Sequence, residues 1–551
     1  MATVRAGSPL NVPIRSTEST IIVAVDTGFD VSLPRERLPL GATPVSDNYI
    51  VRDGALEPRP TLSLLTAGGA QAMGPTPILG MFEAQSVQNL RFPIASGRTR
   101  HESFNLTSAA NVWSLLSYVA AFGVDDPPNL SSSDYWDYTQ IYSADVDENI
   151  VYMAAGSRQS MYVTQADSTI FSTMTGAPQA RFVASVDNYV LAFSTREAGN
   201  NFVNRVQWND RGSASSWTGG LSGFEDLLSM RGEGTRIIAN DNNTALLFSD
   251  EEVWQGVPGG NVFVWAFAPY DISRGCLYSW TIAKTPLGTM FLGKDYQVYL
   301  LPKGGGPSQP IGVPLHREIR RTISQPARAW ATFDNTYGQY QLYYPVTGGS
   351  GYPQRAAYLD VLNGSWMPQS FDSAGGGISL TRGVEMQNSS SATTWGGLLA
   401  SGITWGGLLA LGQSWGDLLG VVSGRAVAMG SSNGTVYQLN STGTNDAGTA
   451  MPCRWQSGGP IATTPQEQKT VNEFRVDYEA DSTSHLTVRF SQDNGASFVT
   501  SVPVPLPTAS QGSQGIGYPY FGCRYPTFDI LSEGYRHRLS QFYLTHKQGG
   551  R

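Results

Sequence analysis

The chain is predicted to be all-β: a β-propeller of about seven blades, give or take one, with an N-terminal arm and a C-terminal β-sandwich. Three observations predict this. Glycine (61) and proline (32) are plentiful while charged residues make up only 15%, which suits short strands joined by tight turns. Strand-like runs with an Asn, Asp or Gly turn recur through the middle of the chain. Their spacing is that of sheets with four short strands each.

The runs are DVDENIVYMAAG (145–156), SVDNYVLAFST (185–195), NDNNTALLFSD (240–250), TPLGTMFLGKDYQVYLL (285–301), TFDNTYGQYQLYYP (332–345) and SSNGTVYQLNS (431–441). Their turns, near 147, 188, 243, 288, 336 and 433, are 41, 55, 45, 48 and finally 97 residues apart. The double gap leaves room for one more blade around Gly375–Met386, carrying an insertion. Three strand-like runs before the series, at 78–85, 90–104 and 112–116, fit an earlier blade. Trp136, Trp217, Trp366 and Trp455 follow polar turns, where a ring that buries ~150–250 Å² packs between neighbouring sheets. Scattered tryptophans in another all-β core are the alternative.

These readings divide the chain into an arm over 1–75, a propeller over 76–460 and a sandwich over 461–551. The arm holds one β-like run, STIIVAVD (19–26), and then a proline-rich path expected to cross between neighbours. After Thr464, the stretch 473–506 alternates over two strands and 535–547 adds a third. The longest helix-tolerant piece, Ser108–Ala121, is too short to span a membrane, and no run of about 18 apolar residues exists.

An internal repeat of period ten occupies 391–420: SATTWGGLLA, SGITWGGLLA, LGQSWGDLLG. Ten fits neither a heptad nor a blade, and the Gly–Gly steps break a continuous helix. Trp395, Trp405 and Trp415, with Leu398, Leu408 and Leu418, are the candidate interface residues. Exposed apolar side chains in such number point to a partner contact, or to a segment folded back on its own propeller.

The net charge is −8 with pI near 5.3, and Lys/Arg runs are absent, so no counterion-releasing grip on nucleic acid is expected. An acidic wall can still surround DNA and keep it mobile by repulsion. A surface this poor in charge is expected to be covered in part by partner subunits. Cys276, Cys453 and Cys523 are far apart and form no CxxC pair, so buried free thiols are expected. The opening MATVRAGSPLNVPIRS lacks a basic region followed by an apolar stretch, so no secretory leader is expected.

Catalytic signals are weak. SQDNGASF (491–498) matches an Asp-box, in which Asp493 accepts turn amides and Gly495 takes a positive φ. Asp-boxes stud sialidase propellers, but this single copy lies in the sandwich and reads as a structural turn. GTMFLGKD (288–295) is one residue short of a phosphate loop, and strand formers fill it. The five histidines are dispersed and no GxSxG elbow is present, so neither a metal site nor a hydrolase triad is expected. Carboxylate dyads assembled from distant blades stay open. No catalytic residue, cofactor or metal is assigned.

Leu40–Gly41–Ala42, Asn48, Arg52–Asp53–Gly54–Ala55–Leu56 and Arg59–Pro60, within 38–60, resemble the opening of phage tail hub or nozzle proteins. The tryptophan decapeptides are similar to TW[DG]xL repeats of such phage structural proteins. The resemblance implies a non-enzymatic subunit of a homohexameric ring on the tail of a short-tailed phage, made in the host bacterial cytoplasm. It implies a portal-adaptor ring above, tail fibres or spikes at the side, and double-stranded DNA channelled and retained without sequence-specific binding. It implies no cofactor. Asp145, Asp147, Asp250 and Glu251 are candidates for the lumen, with solvated outer turns as the alternative for each. A glycan-binding or glycan-cleaving propeller and a receptor-binding virion protein are the competing readings.

Overall fold

The computed structural model describes residues 18–39, 41–65, 74, 76–104, 113–119, 128–131, 134–240, 243–259, 264–372, 377–387, 425–458, 468–523 and 526–548. The chain divides into two compact units, Pro60–Met451 and the combination of Met1–Arg59 with Pro452–Arg551.

The first unit is a seven-bladed β-propeller. Its innermost strands are Gly80–Gln85, Trp136–Ser143, Gln179–Val186, Gly234–Ala239, Ala283–Thr285, Trp330–Asp334 and Leu380–Gln387. From each, three more antiparallel strands step outward, and the inner strand of blade 7 packs beside that of blade 1. Blades 1 and 2 also join at their outer edges, where Trp113–Val119 pairs parallel with Ile170–Thr173. Second strands such as Ala245–Ser249, Gly288–Leu292 and Gln339–Tyr344 are buried at every position. Covered on both faces by neighbouring blades, they read as nearly continuous apolar runs where one-sided strands would alternate.

The five regularly spaced hairpins predicted at 147, 188, 243, 288 and 336 each join the first and second strands of blades 2 to 6. Asp187 and Asn188 both take positive φ, 49° and 62°, in a two-residue turn closed by Val186 opposite Tyr189. The last interval differs. The strand Leu380–Gln387 and the hairpin near 433 belong to one blade, so the double gap is a single blade with an insertion. Residues 388–424 enter between its first two strands, whose ends Gln387 and Arg425 are register partners.

Blade 7 takes its outermost strand from the far end of the chain. Thr61–Leu64 pairs antiparallel with Val436–Asn440, and the Leu62 amide also donates to Asp446 Oδ1 at 2.9 Å. The helix Val313–Thr322, between blades 5 and 6, is absent from the sequence expectations. It buries only Leu315 and Ile319, one turn apart, which is too little periodicity to stand out. Conversely, Trp113–Val119, within the helix-tolerant stretch 108–121, is a strand.

The second unit is a sandwich of a seven-stranded and a five-stranded sheet. Phe474 and Phe542 from one sheet meet Trp455, Phe490 and Phe528 from the other, with ring centroids 5.3–6.1 Å apart. Trp455 therefore belongs to this core and closes no blade, whereas Trp136, Trp217 and Trp366 are buried in the propeller. The arm expected over 1–75 is divided instead. Glu18–Ala24 pairs with His537–Gln548, and Val45–Asp47 with Pro452–Gln456, while Thr61–Leu64 goes to the propeller. Such pairings span most of the chain, and no local pattern records them. All three cysteines are free and buried.

Because Gln387 and Arg425 already face each other, replacing 388–424 by Asn-Gly should close blade 7 with an ordinary two-residue turn. The expected outcome is an unchanged thermal unfolding midpoint and circular dichroism spectrum. A collapse of either would show that the insertion holds the blade together.

Candidate functional site

Where the inner strands begin, the axis is filled by side chains from several blades. Trp280, just before the inner strand of blade 5, lies under two guanidinium groups. Arg382 from blade 7 is 3.6 Å from its ring centroid and Arg236 from blade 4 is 4.2 Å away. Tyr135 and Phe182 meet the indole edge-on at 5.7 and 5.8 Å. Asp137 of blade 2 accepts from Arg236 Nη2 at 2.9 Å and from the Val183 amide at 3.1 Å. One carboxylate thus ties blades 2, 3 and 4 together.

Burial dominates the electrostatics here. It pushes the Asp137 carboxyl upward, against the pull of Arg236 and the Val183 amide. Burial, helped by Arg236, brings the Arg382 guanidinium down to about 9, which still leaves it charged at neutral pH. None of these residues was singled out in the sequence. The one signal available is an arginine inside an otherwise apolar first strand, as in QARFVASV, GTRIIA and SLTRGV.

The four lumen candidates are not brought together. Asp145 and Asp147 sit in the turn after the inner strand of blade 2, at the end of the propeller away from Trp280. Asp145 accepts from Ser213 Oγ and Asp147 from the Tyr142 hydroxyl, both at 2.6 Å. Asp250 and Glu251 lie between the second and third strands of blade 4, at the Trp280 end. There Asp250 accepts the Glu233 amide at 2.8 Å. With Arg231, Arg274, Lys294 and Asp295 they border a cleft of about 450 Å³ between blades 4 and 5. A second cleft, about 530 Å³, opens at the opposite end beside Lys284, Lys303, Asn335 and Glu385. Trp395, Trp405, Trp415, Leu398, Leu408 and Leu418 lie outside the described residues.

The described residues of 38–59 are built into the sandwich unit, and Pro60 begins the propeller unit. Asp53 and Gly54, with φ of 48° and 72°, turn the hairpin between Tyr49–Arg52 and Ala55–Pro58. Asn48, itself at positive φ, receives the Arg59 Nε at 3.0 Å and donates to the Pro452 carbonyl at 2.7 Å. Arg59 is fully buried. Tyr49 hydroxyl meets His537 Nε2 at 2.9 Å and Ser532 Oγ at 3.0 Å. Asn48, Asp53, Gly54 and Arg59, among the residues that carry the resemblance, are therefore structural ones.

The Asp-box is a hairpin turn of the same unit. Asp493 accepts the Ser497 amide at 2.7 Å and the Ser497 and Ser491 hydroxyls at 2.6 and 2.7 Å. These bonds hold its carboxyl well below the usual range. Among the described residues, no group of three or more His, Cys, Asp or Glu is placed to hold a metal ion.

No protein-family profile matches the chain, and no curated protein matches it either. Solved structures similar to it are propellers. YCF48 bound to D1 peptide is 11% identical over 53% of this chain and 88% of that one, with a TM-score of 0.33. Virginiamycin B lyase from Staphylococcus aureus is 9% identical over 69% and 98%, with a TM-score of 0.37. BamB from Moraxella catarrhalis is 11% identical over 77% and 97%, with a TM-score of 0.34. Likeness at this level concerns the fold alone and assigns no activity. Among the described residues no helix is long and apolar enough to cross a membrane.

Two predictions follow from this chemistry. Asp137→Ala removes the carboxylate partner of the half-buried Arg236 and should cost about 1.5–3 kcal/mol in denaturant unfolding. His101 and His537 are pushed down to about 3, chiefly by burial, from an ordinary 6.5. Below pH 6.5 the unfolded chain binds protons that the folded chain refuses, so stability falls as pH drops from about 6.5 toward 3. A lower melting temperature at pH 5 than at pH 7 is expected; equal values would contradict the assignment.

Proposed function

We propose that the chain is a non-enzymatic structural subunit of a short-tailed phage tail, the nozzle or hub. In this reading it forms a sixfold ring below the portal-adaptor, through which DNA passes without sequence-specific binding. Tail fibres or spikes dock on its outside. The observation that carries the proposal is the segment 38–60. Asn48, Asp53–Gly54 and Arg59, among the residues in which it resembles nozzle proteins, each hold a defined place in one hairpin and its buried polar support.

Two further features are consistent with it. The Trp/Leu insertion falls in sequence between the first two strands of blade 7, whose ends remain register partners, so the inner strand of that blade is uninterrupted. The net charge of −8 suits a wall that repels DNA and lets it slide. Asp145 and Asp147 lie at one end of the propeller and Asp250 and Glu251 at the other, so a lumen would be bordered by one pair at most.

Electron microscopy of the purified full chain tests the proposal. A sixfold ring with an open centre is expected, and the 388–424 replacement should weaken its capture of fibre or adaptor proteins while leaving the propeller folded. Monomers that cleave polysaccharide would overturn the proposal in favour of a glycan-active propeller.

A further inference from the structure

A small recess opens beside the axial cluster, at the end where the inner strands begin. It holds about 90 Å³ and is lined by Asp134, Tyr135, Gly156, Arg181, Tyr278 and Trp280, among others. That is roughly three water volumes at about 30 Å³ each, too little for a sugar ring or a nucleotide.

Two polar groups in its wall lack partners. The Tyr135 side chain is 3% exposed, and its hydroxyl makes no hydrogen bond among the described residues. The Arg181 Nε is buried and likewise without a hydrogen-bond partner there. Buried donors left in this state cost stability unless something else satisfies them. The guanidinium rests over the Phe182 ring at 5.0 Å, and Arg158 next to it is already engaged by the Ser194 carbonyl and hydroxyl. Arg382 lies over the Tyr135 ring, 4.6 Å from its centroid. Of the charged side chains here, Arg181 and Asp134 line the recess itself. Asp134 is itself held by the Ser131 hydroxyl at 2.9 Å.

We infer that this recess binds one carboxylate carried on a short apolar stem. The oxygens would accept from Arg181 and Tyr135, and the stem would lie against Trp280. A phosphate fits less well. Its extra charge and oxygens need more donors than Arg181 and Tyr135 supply, and Asp134 in the wall opposes a dianion. The inference does not depend on the tail-subunit reading.

Saturation-transfer NMR on the full chain tests it, with propionate as the probe. Saturable propionate signals are expected, displaced by inorganic phosphate only at higher concentrations. Arg181→Met should weaken binding by about tenfold or more, the usual worth of a charged hydrogen bond. Tyr135→Phe should weaken it several-fold and removes a single oxygen, so it serves if the arginine variant fails to fold. The amide of N-acetylglutamate distinguishes the source. Binding tighter than propionate marks a side chain presented by a partner protein, while equal or weaker binding marks a free small acid. Absence of saturable binding, wild-type binding by either folded variant, or preference for phosphate would overturn the inference.

Discussion

A sheet array coiled around an axis has two ends, and the seven-bladed ring depends on how they are joined. Here the join is a shared sheet: Thr61–Leu64 supplies the outer strand of a blade whose other strands lie more than 300 residues later in the chain. Without that strand, Val436–Asn440 would present an open edge of unpaired amides and carbonyls. The inner strands close a second circle, with Leu380–Gln387 beside Gly80–Gln85. Each blade is then covered on both faces, and the buried second strands follow from that.

The axial cluster rests on the same closure. Arg236, Trp280, Arg382, Tyr135 and Asp137 come from four blades, and Arg382 of blade 7 reaches Trp280 only when the ring is complete. Charge in this place is tolerable because the guanidinium groups lie over aromatic faces and one is paired to a carboxylate. The sandwich uses a different solution. Its centre is a stack of Trp455 and phenylalanine rings, and its buried Asp529 is paired with Arg454 and Arg489. Both cores are thus aromatic, but only the propeller carries its charges on the axis.

Several of these features are legible in the residues. Asp187–Asn188 and Asp53–Gly54 announce two-residue hairpins because both turn positions need positive φ. Ala198–Gly199 makes the same turn with φ of 47° and 85°, yet alanine gives no such signal. The Asp-box reads correctly as a turn, since its bonds are local. Blade 7 is harder: its insertion separates paired strands by 37 residues, and the spacing argument counts the gap as room for an additional blade. The candidate carboxylates and the axial arginines show the limit most clearly. Asp145 and Asp250 look alike as turn residues, and only the direction of the strands puts them at opposite ends.

What the sequence determined by itself is the all-β class, the blade period and the hairpin turns, because each rests on interactions within a few tens of residues. Tertiary structure decided which strands close the ring, where the arm divides, and which side chains meet on the axis. Those outcomes depend on pairing between segments hundreds of residues apart, and the alternation of side chains along a strand says which face is buried but not which neighbour buries it.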